Sequence, residues 1–246
     1  MGESHPTMAH IYNNLAVLYN SRGEYKRAER LYLKALEIRE VLLGKEHIYT
    51  VVSYNNLGAL YESMGAYQKA ESYLIKVLKI REKLLGEEHP DTATSYNNLA
   101  LLYESIGAYK KAESFFIKAL EIKKILLGGE HPDIAIIYSN LAVLYRKMGV
   151  YEKAESLYLK ALKIKKEVLG EGHPDTAIIY NNLGVFYYGQ ENFEKAYPYA
   201  KKAFEIWSKI LPKGHSDLVK AKMGLEMIFS SREKRLREKK EKNDNS

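Results

Sequence analysis

Residues Asn97 to Asp133 read NNLALLYESIGAYKKAESFFIKALEIKKILLGGEHPD, and almost every landmark in this stretch returns at one fixed interval along the chain. His5, His47, His89, His131, His173 and His215 stand 42 residues apart. Leu15, Leu57, Leu99, Leu141 and Leu183 keep the same step, as do Tyr19, Tyr61, Tyr103, Tyr145 and Tyr187, and Ala28, Ala70, Ala112, Ala154 and Ala196. A strict period between about 20 and 50 residues marks a stacked array, in which each unit buries its apolar face against the next.

Within one unit the apolar residues fall at helical spacing. Tyr96, Leu99, Ala100 and Tyr103 occupy one face of a first helix, and Ala112, Phe116, Ala119 and Leu120 one face of a second. Gly107 and Gly128 stand where these helices should stop, as residues able to enter the left-handed conformation beyond a helix end. Pro90 suits a first helical turn, because the amide hydrogen it lacks has no intrahelical partner there. Asp91 adds negative charge where the helix dipole favours it. The spacing therefore predicts a helix A over about 91–106, a turn at Gly107 and a helix B over about 108–127.

Tyr96, Leu99, Ala100, Tyr103, Gly107, Ala112, Phe116 and Ala119 resemble, in order and spacing, the tetratricopeptide repeat (TPR) pattern. A TPR unit normally has about 34 residues. The eight extra residues here, in ALEIKKILLGGEHPD, extend helix B by roughly two turns and resemble the 42-residue variant of kinesin light chains. The resemblance implies an all-α fold, a right-handed α-solenoid of about five helix-turn-helix units. These would cover residues 5–46, 47–88, 89–130, 131–172 and 173–214, closed by a capping helix over 216–231. Leu218, Met223, Leu225, Ile228 and Phe229 would supply the covered face of that cap, and the charged tail 232–246 is expected to fray or stay disordered. Three departures stand out: Ile48-Tyr49 replaces Pro-Asp, Pro212 replaces a glycine, and the last helix has no helix B partner.

Composition agrees with a folded, water-soluble array. Of the 246 residues, 46% are hydrophobic and 28% charged, and no apolar run approaches the 18 or so residues of a membrane span. Cysteine is absent, which excludes disulfides and thiolate chemistry. The N-terminal MGESHPTMAH has no secretory pattern, so the cytoplasm is the expected location. The net charge of +7 is spread thinly, with +3 of it in the last fifteen residues, and is too diffuse for a nucleic-acid footprint.

Most of the repeated residues belong to the scaffold. Leu99, Ala100, Tyr103, Ala112, Phe116, Ala119 and their copies are expected in the core. The 21 tyrosines fall on the framework positions, where packing with the hydroxyl reaching the surface is their expected use, so stacking on single-stranded nucleic acid is not expected. The six periodic histidines sit one repeat apart, on the order of 10 Å, whereas zinc ligands lie about 2 Å from the metal, so they are read as helix-start or inter-repeat hydrogen-bonding residues. No catalytic trio, phosphate loop or metal-binding pair occurs, and the expectation is no enzyme, no cofactor and no metal.

The asparagines need another explanation. Asn97-Asn98 lie off the core stripe of helix A, with copies Asn13-Asn14, Asn55-Asn56, Ser139-Asn140 and Asn181-Asn182. Asparagine is a mediocre helix former, and its amide carries both donor and acceptor, so a ladder of amides can hold an extended peptide backbone without reading its sequence. The resemblance to TPR peptide clamps implies that helix A lines a concave groove, with Asn13, Asn55, Asn97, Ser139 and Asn181 as its members; the second residue of each pair would be structural. Specificity would come from positions that vary: His10, Val52, Thr94, Ile136 and Ile178; Val17, Ala59, Leu101, Val143 and Val185; and Asn20, Glu62, Glu104, Arg146 and Tyr188. The switch from Glu62 and Glu104 to Arg146-Lys147 would orient a charged ligand.

The expected function is a non-catalytic, monomeric protein-interaction scaffold for a peptide or partner surface. The alternatives are a self-associating array and an RNA-associated protein using the basic tail. Kinesin light chains carry a long heptad segment before their repeats, and this chain shows none, so it is read as a fragment or as a stand-alone member of the wider group.

Overall fold

The computed structural model describes residues 6–244, so His5, where the sequence reading starts the array, lies outside the described residues. Eleven helices follow one another among them: α1 (Pro6–Ser21), α2 (Tyr25–Leu43), α3 (Ile48–Ser63), α4 (Tyr67–Leu85), α5 (Pro90–Ser105), α6 (Tyr109–Leu127), α7 (Pro132–Lys147), α8 (Tyr151–Leu169), α9 (Pro174–Gly189), α10 (Phe193–Ile210) and α11 (Ser216–Asp244). Odd-numbered helices are type A and even-numbered ones type B, in a repeated helix-turn-helix pattern. The chain forms two compact units, one up to Leu126 and one from Leu127. Repeats touch only their neighbours, so an array can divide at a repeat boundary without exposing a shared core.

The histidines start helices. The Nδ1 atoms of His47, His89, His131, His173 and His215 accept from the backbone N–H two residues on, at 3.1 to 3.3 Å. Each of these bonds satisfies an amide that the helix itself leaves orphaned. Thr50, Thr92 and Thr176 each donate to the carbonyl of the glycine six residues back, all at 2.8 Å, tying the start of helix A to the end of the preceding helix B. The A–B turn requires positive φ, seen at Gly65 (70°), Gly107 (77°) and Gly149 (76°); the fifth copy, Glu191, adopts 56° without being glycine.

Small residues let the helices approach. Ala70, Ala112, Ala154 and Ala196 are fully buried, as are Leu57, Leu99 and Leu183. At Gly184 a Cβ would stand 3.1 Å from the backbone N of Ala200, so α9 and α10 pack almost backbone to backbone.

Two expected core residues fall outside the core. Leu15 is 39% exposed and Tyr19 only half-buried, although their copies are covered. The reason is positional: the copies on α3, α5 and α9 pack on the B helix before them, and no described helix precedes α1.

The far end of the chain also differs from expectation. The helix expected to end at residue 231 continues to Asp244. Its extension is tied down, because the Arg232 guanidinium bonds both carboxylate oxygens of Glu194 at 3.0 Å and Arg235 donates to the Glu191 carbonyl. The same arginines lie over the rings of Tyr197 and Phe193. Leu218 and Ile228 cap α10 as the spacing predicts, and Phe229, though 48% exposed, sets its ring 6.0 Å from that of Tyr197 on α10, whereas Met223 is 58% exposed.

Candidate functional site

In each unit the amides run as a ladder between successive A helices. Asn56 Nδ2 donates to Asn13 Oδ1 at 2.8 Å and Asn98 Nδ2 to Asn55 Oδ1 at 2.9 Å. In the second unit Asn182 Nδ2 donates to Ser139 Oγ at 3.2 Å. At Asn56, Asn98 and Asn182 the second residue of the pair is thus the cross-link expected of it. The first is also part of the scaffold, because its carbonyl oxygen is the acceptor, a role the sequence reading did not assign.

The cross-link leaves a definite remainder. Asn13 and Asn55 are half-buried, and their Nδ2 donors have no partner among the described residues. Asn181 is half-buried as well, and the copy positions on α11 are Met223 and Gly224, so no amide donates to it from there. Asn97 has partners of its own, and Ser139 is buried at 6%. Near the end of α1, Asn20 Oδ1 is buried without a donor among the described residues.

The flanking charges are unequally available. Glu62 is half-buried and accepts from Ser105 Oγ at 2.8 Å, whereas Glu104 is 8% exposed and sits within the helix packing. Arg146 is half-buried and Lys147 exposed; Tyr188 packs its ring against Phe193 at 5.7 Å between centroids.

The A-helix faces of the two units differ in chemistry. Beside the amides, the first unit carries His10, Val52, Ala59, Thr94 and Glu62, with Val17 at 50% exposure and Leu101 half-buried. The second carries Ile136, Ile178 and Val185 at 46 to 50% exposure, and α11 adds Met223 and Met227 at 58% and 55%. The sequence reading passed over Met227 and assigned Met223 to the covered face, because α11 was read only as a cap. The signal was present, since they occupy the 42-step copies of Asn181 and Val185.

Tyr61, Tyr103 and Tyr187 are fully engaged in the scaffold. Tyr61 donates to Glu29 at 2.8 Å, Tyr103 to Glu71 at 2.6 Å, and Tyr187 to Glu155. Each ring stacks on an aromatic of its own unit: Tyr61 on Tyr73, Tyr103 on Phe115 and Tyr187 on Tyr199, at 5.5 to 5.7 Å. A lysine caps each of them, with Lys69, Lys111 and Lys195 4.7 to 4.9 Å from the ring centres. Burial, followed by the hydrogen bond to an ionised carboxylate, pushes the Tyr103 hydroxyl up to about 12. Such rings are not free to stack on nucleobases.

Among the described residues there is no group of three His, Asp or Glu side chains placed to hold a metal, and no helix long and apolar enough to cross a membrane. The family model for the tetratricopeptide repeat matches residues 7–83, 53–125 and 133–209. The chain belongs to the tetratricopeptide repeat family. Its 42-residue TPR unit is of the kinesin-light-chain type, and solved TPR structures resemble it over most of its length. BtubC (BKLC) from P. vanneervenii is 27% identical, with a TM-score of 0.65 over 89% of this chain and 83% of that one. The nearly identical TPR-like repeats of a Podosopora anserina chain assigned to the kinesin light chains are 25% identical, with a TM-score of 0.64 over 83% of this chain and 97% of that one. Aspartyl phosphate phosphatase F from Bacillus subtilis shares the fold, at 14% identity and a TM-score of 0.74, over 94% of this chain and 58% of that one. The comparison with curated proteins gives no match.

Proposed function

We propose that this TPR protein is a non-catalytic scaffold that holds an extended segment of a partner protein against the A-helix faces of its units. The observation that carries this reading is the set of half-buried amides left over by the ladder: the Nδ2 donors of Asn13 and Asn55, and the Asn181 amide. Donors fixed by an existing cross-link lose little entropy on binding and suit the carbonyls of an extended backbone.

The side chains around the amides set the preference. In the first unit Glu62 and the polar neighbours favour a segment with basic or polar residues. In the second, Ile136, Ile178, Val185, Met223 and Met227 form an apolar strip beside Arg146, which favours bulky apolar residues next to an acidic one. A strip with two flexible methionines accommodates more than one side-chain shape.

The test is affinity capture from a lysate of the source organism with the wild-type chain and an Asn13→Ala/Asn55→Ala/Asn181→Ala variant, matched beforehand in circular dichroism and melting. A partner retained by the first and lost by the second assigns the amide face as the binding site. Equal capture by both would confine the amides to a structural role and refute the proposal.

A further inference from the structure

One cation in the array lacks the partner its copies have. Arg39, Arg81, Lys123 and Lys165 stand one repeat apart, and ten residues after them come Tyr49, Asp91, Asp133 and Asp175. The buried Lys165 ammonium bonds Asp175 Oδ2 at 2.8 Å. The Arg81 guanidinium donates to the Asp91 carbonyl at 3.0 Å and to Ser95 Oγ at 2.8 Å, and the Asp91 charge opposes the downward pull of burial on it. Arg39 keeps the same neutral bonds, from Nη1 to the Tyr49 carbonyl at 3.1 Å and to Ser53 Oγ at 2.6 Å. It is only 4% exposed, yet no carboxylate among the described residues pairs with it. A buried cation without a counter-ion is costly, so a ligand that brings one relieves that cost.

Space for that counter-ion lies beside the guanidinium. A cavity of about 110 Å³ opens between α1, α2 and α3, with Arg39 in its lining. Ala9, Ile38, Leu42 and Leu43 give it apolar walls, and the His10 and Tyr49 rings, 5.5 Å apart edge to face, close it where α1 meets α3. Its wall on α1 is on the side toward α2: Ala9 and Ala16, two turns apart, are the buried residues of that helix, whereas Leu15 and Leu18 are exposed on another side. The cavity therefore belongs to the packing of the first two repeats and to the tyrosine that stands at position 49. It is smaller than the roughly 150 Å³ that takes benzene in an apolar engineered cavity, and suits a branched alkyl group of about five carbons.

We infer that this cavity binds a small branched aliphatic carboxylate, with its alkyl body against Ala9, Ile38, Leu42 and Leu43 and its carboxylate on the Arg39 guanidinium. The ligand supplies the charge that Asp91 and Asp175 supply in their own repeats. Arginine is the cation suited to the task, since its planar fork can meet both carboxylate oxygens. A free acid fits better than the last residue of a partner chain, because the wall side chains offer no acceptor for the amide N–H that precedes a chain end. The inference is independent of the amide faces and of the scaffold reading.

The experiment titrates the full chain with 4-methylvalerate, read by calorimetry and by the methyl NMR signals of Ile38. The expected result is saturable binding with a Kd of about 1 mM, and at least tenfold weaker binding of the neutral 4-methylvaleramide. Arg39→Met, which keeps the buried stem and removes the charge, should weaken 4-methylvalerate at least tenfold. Tyr49→Asp, which places at position 49 the residue found at its copies, should weaken it as much while raising Tm, because Arg39 then has an anion of its own. Four results would overturn the proposal. They are no saturable binding at up to tenfold that concentration, equal affinity for the amide, an affinity unmoved by Tyr49→Asp, or N-acetylleucine binding at least tenfold more tightly than 4-methylvalerate. The last would assign the cavity to the end of a partner chain.

Discussion

Lys165 offers a sharp test of how the second unit is held together. Its side chain is 3% exposed, and its ammonium bonds Asp175 Oδ2 at 2.8 Å, while the Asp175 side chain is 44% exposed. The partners are therefore unequal: the cation depends on the anion far more than the reverse. Removing one member of a buried pair costs about 3–5 kcal/mol, and the solvent-facing end of this one reduces that to about 2–3 kcal/mol for Asp175→Ala. Losing a first-turn carboxylate adds about 0.5 kcal/mol through the helix dipole. At about 2–4 °C per kcal/mol, the expected fall in Tm is about 5–14 °C. Lys165→Met removes the charge but keeps the buried stem, and leaves Asp175 in water at a helix start where it is still favourable. It should cost no more than about 1 kcal/mol. In the double variant Asp175→Ala should add only the dipole loss, giving a coupling of about 2 kcal/mol. Urea unfolding and thermal circular dichroism of the four proteins measure this. If Lys165→Met proves as damaging as Asp175→Ala, or the coupling falls below about 0.5 kcal/mol, the argument that the buried ammonium depends on its carboxylate is wrong.

Other consequences can be checked in the same way. Gly65→Ala, at φ 70°, should lose about 1–2 kcal/mol, whereas Gly129→Ala, with ordinary φ and open space around it, should lose almost nothing by the same melts. His89→Ala should cost about 1 kcal/mol by removing the acceptor for the Asp91 N–H, and His89→Asn should recover most of it. Glu171 is held down at about 2, first by the Tyr180 hydroxyl and then by Lys202 and Lys166. A depressed folded-state value contributes stability above the ordinary carboxylate range that is lost as pH falls through about 2, so Glu171→Gln should flatten the acid limb of a stability–pH profile between about pH 4 and 2. Arg232→Ala removes the ion pair with Glu194, and amide hydrogen exchange over residues 232–241 should speed up while α9 and α10 stay protected.

How far the sequence could be read depended on how local each cause is. The helices, their glycine turns and the histidine starts follow from contacts a few residues long, and the 42-residue recurrence multiplied that signal five-fold. The Asn13–Asn56 and Asn55–Asn98 bonds join residues 43 apart, and nothing in an isolated repeat says which amide donates. That assignment needs two A helices side by side.

The repeat could not disclose its own ends. Leu15 and Leu57 are the same residue in the same local sequence, yet one is 39% exposed and the other 0%, because only Leu57 has a described helix packed before it. The continuation of α11 past residue 231 has the same kind of origin. Its charge-rich sequence has little apolar surface to drive burial, and helix is maintained there by Glu194 at the start of α10 and the Glu191 carbonyl in the turn before it, about forty residues earlier. The sequence alone determined the repeat unit, its two helices and its core stripe, since these depend on short-range periodicity. Tertiary structure decided which copies of that stripe are covered, which amide oxygens are spent and where the apolar strip of the second unit lies, because each depends on a neighbour that the residue's own segment does not contain.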